Sequence, residues 1–74
     1  MMKNKELLIS FVAGSTEGLG SNLRIIGDSL YNYETIIAYR KNGIIFLNSQ
    51  KYSQTTSRNQ NIIRKLAAGN IIEY

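Results

Sequence analysis

The chain has 74 residues, nine basic and five acidic side chains, a formal net charge of +4, and neither cysteine nor histidine. That length makes one domain, with no room for a second core. The missing residue types exclude disulfide staples, ordinary zinc sites and the most common catalytic bases and nucleophiles, so stability must come from an aliphatic core or from self-association, for which eleven isoleucines and seven leucines are available.

The first six residues are polar and are expected to fray. Residues 7–13 are apolar and read as a buried strand or a short helix, a choice that periodicity alone does not make. Residues 14–22 hold three glycines, two serines and a threonine and read as a loop. Gly14, Gly18 and Gly20 follow an apolar run in the G-x-x-x-G-x-G spacing of short-chain dehydrogenases, whose glycines let a dinucleotide pyrophosphate approach a helix N-terminus. The context argues against that chemistry. Residues 23–26 are too short to be the required helix, Gly27 and Asp28 would break it, and a nucleotide domain needs far more chain. No Gly-Lys-Ser/Thr follows to make a Walker A loop. A plain loop without cofactor is the expectation.

Residues 23–26 read as a short strand and Gly27-Asp28 as a tight turn. Residues 30–41, rich in tyrosine, isoleucine and threonine, are the clearest strand. Asn42-Gly43 is the strongest hairpin signal, because a type I′ turn needs positive φ at both positions, and residues 44–48 form the return strand. A two-residue turn sets Lys41 opposite Ile44, Arg40 opposite Ile45, Tyr39 opposite Phe46 and Ala38 opposite Leu47. One face then carries Ile36, Ala38, Ile45 and Leu47; the other carries Tyr33, Ile37, Tyr39, Ile44 and Phe46. Both are apolar, so each needs a cover.

A helix is expected next. Ser57 serves as N-cap with Gln60 three residues on; Asn59, Ile62, Ile63 and Leu66 form its apolar face, and Gly69-Asn70 ends it. Residues 71–74 read as an apolar tail, a candidate edge strand. The expected fold is α+β: a single domain over 1–74, with a small antiparallel sheet of three or four strands built on the hairpin and one C-terminal helix packed on it.

Charge is placed unevenly. Residues 1–34 hold three basic and four acidic side chains, whereas 35–72 hold Arg40, Lys41, Lys51, Arg58, Arg64 and Lys65 and no acid. Such asymmetry points to a polyanion or an acidic protein surface as partner, or to a solvated face that keeps the chain soluble. No stretch is long enough to span a membrane, no secretory signal is evident, and the lack of cysteine fits a reducing compartment, so a cytoplasmic location without a membrane partner is expected.

Two clusters remain as candidate sites. Lys51, Thr55, Thr56, Ser57 and Arg58 set hydroxyls and cations at a helix N-terminus, where free N–H groups and the dipole favour an anion such as phosphate. The competing reading is that Thr55, Thr56 and Ser57 only cap the helix. Arg64 and Lys65 extend the polar side of that helix, and Arg40 and Lys41 flank the hairpin tip. Tyr31, Tyr33 and Tyr39 fall on one face of the long strand, suited to base stacking or to packing within a core or interface. Asp28, Glu34 and Glu73 are scattered, so the chain is not expected to be an enzyme.

Two blocks carry a resemblance. Leu30-Tyr31-Asn32-Tyr33-Glu34-Thr35-Ile36-Ile37-Ala38, then Asn48, then Tyr52-Ser53-Gln54-Thr55-Thr56-Ser57-Arg58-Asn59-Gln60, with its Y-S-x-T-T-S-x-x-Q pattern, resemble a group of small phage and mobile-element proteins of unknown function. The resemblance implies a phage or prophage origin, and so the cytoplasm of a bacterial host. It implies no activity. Such proteins either handle nucleic acid or block a host protein, CRISPR nucleases among them; the basic charge disfavours simple DNA mimicry. The leading expectation is therefore a small protein that contacts nucleic acid or a nucleotide phosphate through the basic helix face. The alternatives are an inhibitor of a host defence or replication factor, and a structural subunit. A homodimer is also expected, as one way to cover the second face of the hairpin.

Overall fold

Apolar side chains on alternate residues account for most of the sheet. The computed structural model describes residues 1–74. Strands β1 (Glu17–Leu19), β2 (Leu23–Ile26), β3 (Ser29–Asn32), β4 (Thr35–Lys41) and β5 (Ile44–Leu47) form an antiparallel meander, and β6 (Ile71–Glu73) joins β5 in parallel. Helices α1 (Asn4–Ala13) and α2 (Gln54–Leu66) pack on one face of the sheet and against each other. The class is α+β, with six strands rather than three or four and with two helices rather than one.

Residues 7–13 are helical. Leu7, Leu8 and Phe11 recur at one- and four-residue spacings, which puts them on one side of a helix, and all three are fully buried. Gly14, at φ 108°, ends α1 by donating its N–H to the Phe11 carbonyl. The first six residues are not frayed: Asn4 opens the helix and Met2 bridges to Gly20. Nor is 14–22 all loop, since β1 lies within it. Gly20 is there because the chain is crowded; a Cβ would sit 3.2 Å from the Met2 carbonyl oxygen. The order helix-then-strand also removes the strand, glycine turn and helix that a dinucleotide site needs.

The single long strand expected over 30–41 is two strands, β3 and β4. They part at a two-residue loop, Tyr33-Glu34, where Tyr33 adopts φ 54°. Tertiary contacts hold this loop: the Tyr33 N–H donates to the Asn22 carbonyl at 2.9 Å, and the Asn32 side chain donates to the Thr56 hydroxyl at 2.8 Å. A bulge follows. Tyr31 pairs with Ile36 but Leu30 pairs with Ala38, so Ile37 is the extra residue. Ile37 and Ala38 are both buried, and Ile36 turns to the outer face, reversing the expected placement of the two isoleucines.

The Asn42-Gly43 hairpin has the register that turn chemistry predicts, with Ala38 to Lys41 paired to Leu47 to Ile44 and φ of 52° and 77° at the turn. α2 starts four residues before the expected position. Ser53, not Ser57, is its N-cap, accepting the Thr56 N–H at 3.2 Å; Ser57 lies inside the helix. The buried face is Thr56, Asn59, Gln60 and Ile63, with Ala67 following; Ile62 is half-buried and Leu66 is 39% exposed. The helix stops at Leu66, short of Gly69-Asn70, and the chain turns into β6, the edge strand expected of the tail.

The core lies between the helices and the inner sheet row Ile25, Leu30, Ala38 and Leu47, joined by Leu23, Ile37 and Ile45. Both helices lie on this side, so no element of the chain covers the other face.

Candidate binding surfaces

The motif Tyr52 to Gln60 fastens the helix to the sheet. Thr56 is 1% exposed, and its hydroxyl accepts from Asn32 Nδ2 at 2.8 Å and from the Ser53 hydroxyl at 3.1 Å. Gln60 donates through Nε2 to the carbonyls of Asn48 at 2.6 Å and Gln50 at 3.0 Å. Asn48 donates to the Tyr52 hydroxyl at 2.9 Å. Ser53 and Thr56 therefore satisfy each other, Thr56 also satisfies the Asn32 amide, and Gln60 separately ties the helix to the loop over 48–50. Of the expected phosphate hydroxyls, Thr56 is spent inside the protein, Ser57 is half-buried, and only Thr55 is exposed.

The cations divide the same way. Arg40 points inward, its side chain 12% exposed. It donates to the carbonyls of Phe11 and of Gly27 (2.8 Å) and lies 4.7 Å over the Phe11 ring. Its role is to close the C-terminal end of α1, whose carbonyls carry partial negative charge. Arg64 pairs with Glu73 at 2.8 Å and also donates to Asn61. The hydrogen bond from Arg64 holds the Glu73 carboxyl below its ordinary value of 4.5, outweighing the upward push of desolvation, and the Arg64 charge adds a smaller downward pull. Lys41, at the hairpin, and Lys51, Arg58 and Lys65 are exposed and have no acidic partner. Arg58 and Lys65 are seven residues apart, nearly two turns, and share one side of α2.

The open sheet face is the larger surface, and most of it was not read from the sequence. Direct cross-strand pairing lines up Leu19, Arg24, Tyr31 and Ile36 in one row, and Glu17, Ile26, Ser29, Tyr39, Phe46 and Ile72 in the next. Leu19 is 61%, Ile26 54% and Ile72 49% exposed. Tyr39 stacks on Phe46 at 5.0 Å with near-parallel rings, and Tyr74 tilts against Tyr39 at 5.8 Å. Burial, and then the neighbouring Tyr39 and Tyr52, raise the Tyr74 phenol above its ordinary 10.0. Arg24 lies 5.1 Å over the Tyr31 ring. Tyr31 and Tyr39 share this face, as expected, but Tyr33 is 69% exposed at the β3–β4 loop and is not part of it. The sequence signals for this face are Tyr31 and Tyr39 on one side of the strand and the pairing of Tyr39 with Phe46. Leu19, Ile26 and Ile72 come from separate short strands whose facing depends on the whole sheet.

No helix is long and apolar enough to cross a membrane. No family model, curated protein or solved structure matches the chain.

Proposed function

We propose that the chain is a non-enzymatic binding protein of phage type that takes another protein on the open face of its sheet. The observation that supports this is the uncovered apolar face: Leu19, Ile26, Ile36, Phe46 and Ile72 present aliphatic and aromatic surface to water, and such a patch marks an interaction surface. Tyrosine and arginine, enriched at protein interfaces, sit among them as Tyr31, Tyr39, Tyr74 and Arg24. The Tyr39, Phe46 and Tyr74 rings lean on one another and Arg24 covers Tyr31, which leaves less ring surface for stacked bases than a single-strand platform offers. A host defence or replication factor is the partner class that the resemblance to phage proteins suggests.

Nucleic acid remains a second reading, favoured by the unpaired Lys51, Arg58 and Lys65 along α2. One experiment separates the two. The tagged chain is used to capture partners from a bacterial lysate, with and without nuclease, alongside Ile26→Lys and an Arg58→Ala/Lys65→Ala pair. A protein partner that survives nuclease and is lost with Ile26→Lys supports the sheet face. Capture that disappears with nuclease or with the α2 pair transfers the function to the helix. Light scattering on the purified chain covers the third occupant: a mass near twice 8.4 kDa that halves with Ile26→Lys makes the partner a second copy.

A further inference from the structure

A cavity of about 380 Å³ opens where three ends meet: the end of α1 at Val12 and Gly14, the β4–β5 hairpin at Arg40 and Ile45, and the end of α2 at Leu66 and Ala67. It lies at the lower end of the roughly 300–1,000 Å³ range of small-molecule sites. It is on the helix side of the sheet, away from the open face. Its walls combine aliphatic surface from Val12, Ile45, Leu66 and Ala67 with the guanidinium of Arg40.

Arg40 is the unusual element. Its side chain is largely buried, yet its only carboxylate contact is a long one, 3.4 Å to Asp28, whose own side chain is 74% exposed. A buried charge is ordinarily closely paired. A guanidinium carries five N–H donors. Arg40 commits them to the Phe11 carbonyl, the Gly27 carbonyl and the weak Asp28 contact, so two have no partner within the protein.

We infer that this cavity is a binding site for a small monocarboxylate with a short apolar chain, the carboxylate accepting from one free donor of Arg40, Nε–H or the second Nη1–H, and the chain lying on Val12, Ile45 and Leu66. A carboxylate suits a guanidinium with a donor to spare, because a hydrogen bond between two charged groups is stronger than a neutral one. A dianion such as phosphate is disfavoured more strongly than a monocarboxylate, because α1 and α2 both end at the cavity with Asp28 at its rim, and repulsion from these negative ends grows with the ligand's charge while Arg40 offsets one unit of it.

The test is an amide NMR titration of the full chain with hexanoate, hexanol, hexylammonium and inorganic phosphate, read at Gly14, Gly43 and Asn70. Saturable shifts with millimolar hexanoate are expected, with affinity falling by roughly tenfold or more for hexanol, which lacks the charge-assisted contact, and with no saturation by phosphate. Arg40→Gln tests the guanidinium but also removes a helix-end contact. Leu66→Trp, at an exposed position, therefore serves as the second variant: it should block hexanoate while leaving the circular dichroism spectrum unchanged. Absence of saturable hexanoate shifts, equal binding of hexylammonium, or unaltered hexanoate binding by Leu66→Trp would each overturn the assignment.

Discussion

At Tyr33 the backbone takes φ 54°, a region that costs an L-residue about 1–2 kcal/mol, and the ring gains little there because it is exposed. Relief of that strain should outweigh the extra unfolded-state freedom of glycine, so Tyr33→Gly is expected to raise stability by roughly 0.5 kcal/mol. The measurement is a urea midpoint with unchanged slope; a lower midpoint would mean that the ring makes a stabilising contact. Thr56 is the opposite case. Thr56→Val keeps the shape but leaves Asn32 Nδ2 buried and unpaired, at a cost of about 1–3 kcal/mol. If the Thr56 hydroxyl instead served an outside anion, the same substitution would leave the midpoint in place. Arg40 shows the same lesson: a cation counted toward a basic surface is used mostly within the fold.

Among the elements, the β4–β5 hairpin depends most on local chemistry. Gly43→Val sets a β-branched side chain at φ 77° and should cost about 1–2 kcal/mol or more, read as a fall in melting temperature. The last strand, β6, depends on titratable contacts. The folded pKa of Glu73 lies below 4.5, so its contribution is present above that pH and is lost as pH falls through the lowered value. The folded pKa of Tyr74 lies above 10.0, so its contribution is present below that pH and is lost as pH rises through the raised value. β6 should accordingly be docked most firmly between these limits. Amide shifts of Ile71 and Ile72 followed across pH would show both limbs; Glu73→Gln should remove the acid limb and Tyr74→Phe the alkaline one. A flat profile in the unsubstituted chain would contradict the assignment.

Across the whole molecule, one face of a six-stranded sheet carries both helices and the other carries none. Lysine at Ile26 or Ile72 should leave melting unchanged within about 0.5 kcal/mol, because these side chains are half exposed and outside the core. A large loss of stability from either would mean that the face is covered in the folded chain. Sequence alone determined the features whose cause is local. Asn42-Gly43 set a turn and through it a register, β-rich composition between turn signals marked residues 23–26 and 44–48 as strands, and composition leaves no cysteine or histidine for disulfides or ordinary zinc sites. Features decided at a distance were not legible. The break at Tyr33 is held by Asn22 and Thr56. The bulge at Ile37 exchanges the facing of two isoleucines. The cap moved from Ser57 to Ser53, where Thr56 can reach Asn32. The sequence called for a cover on each face of the hairpin, but the placement of α1 and α2 on the same side followed only from packing: Leu7, Leu8 and Phe11 join Ile63 and Ala67 in one core, and that arrangement leaves the other face of the sheet without a helix.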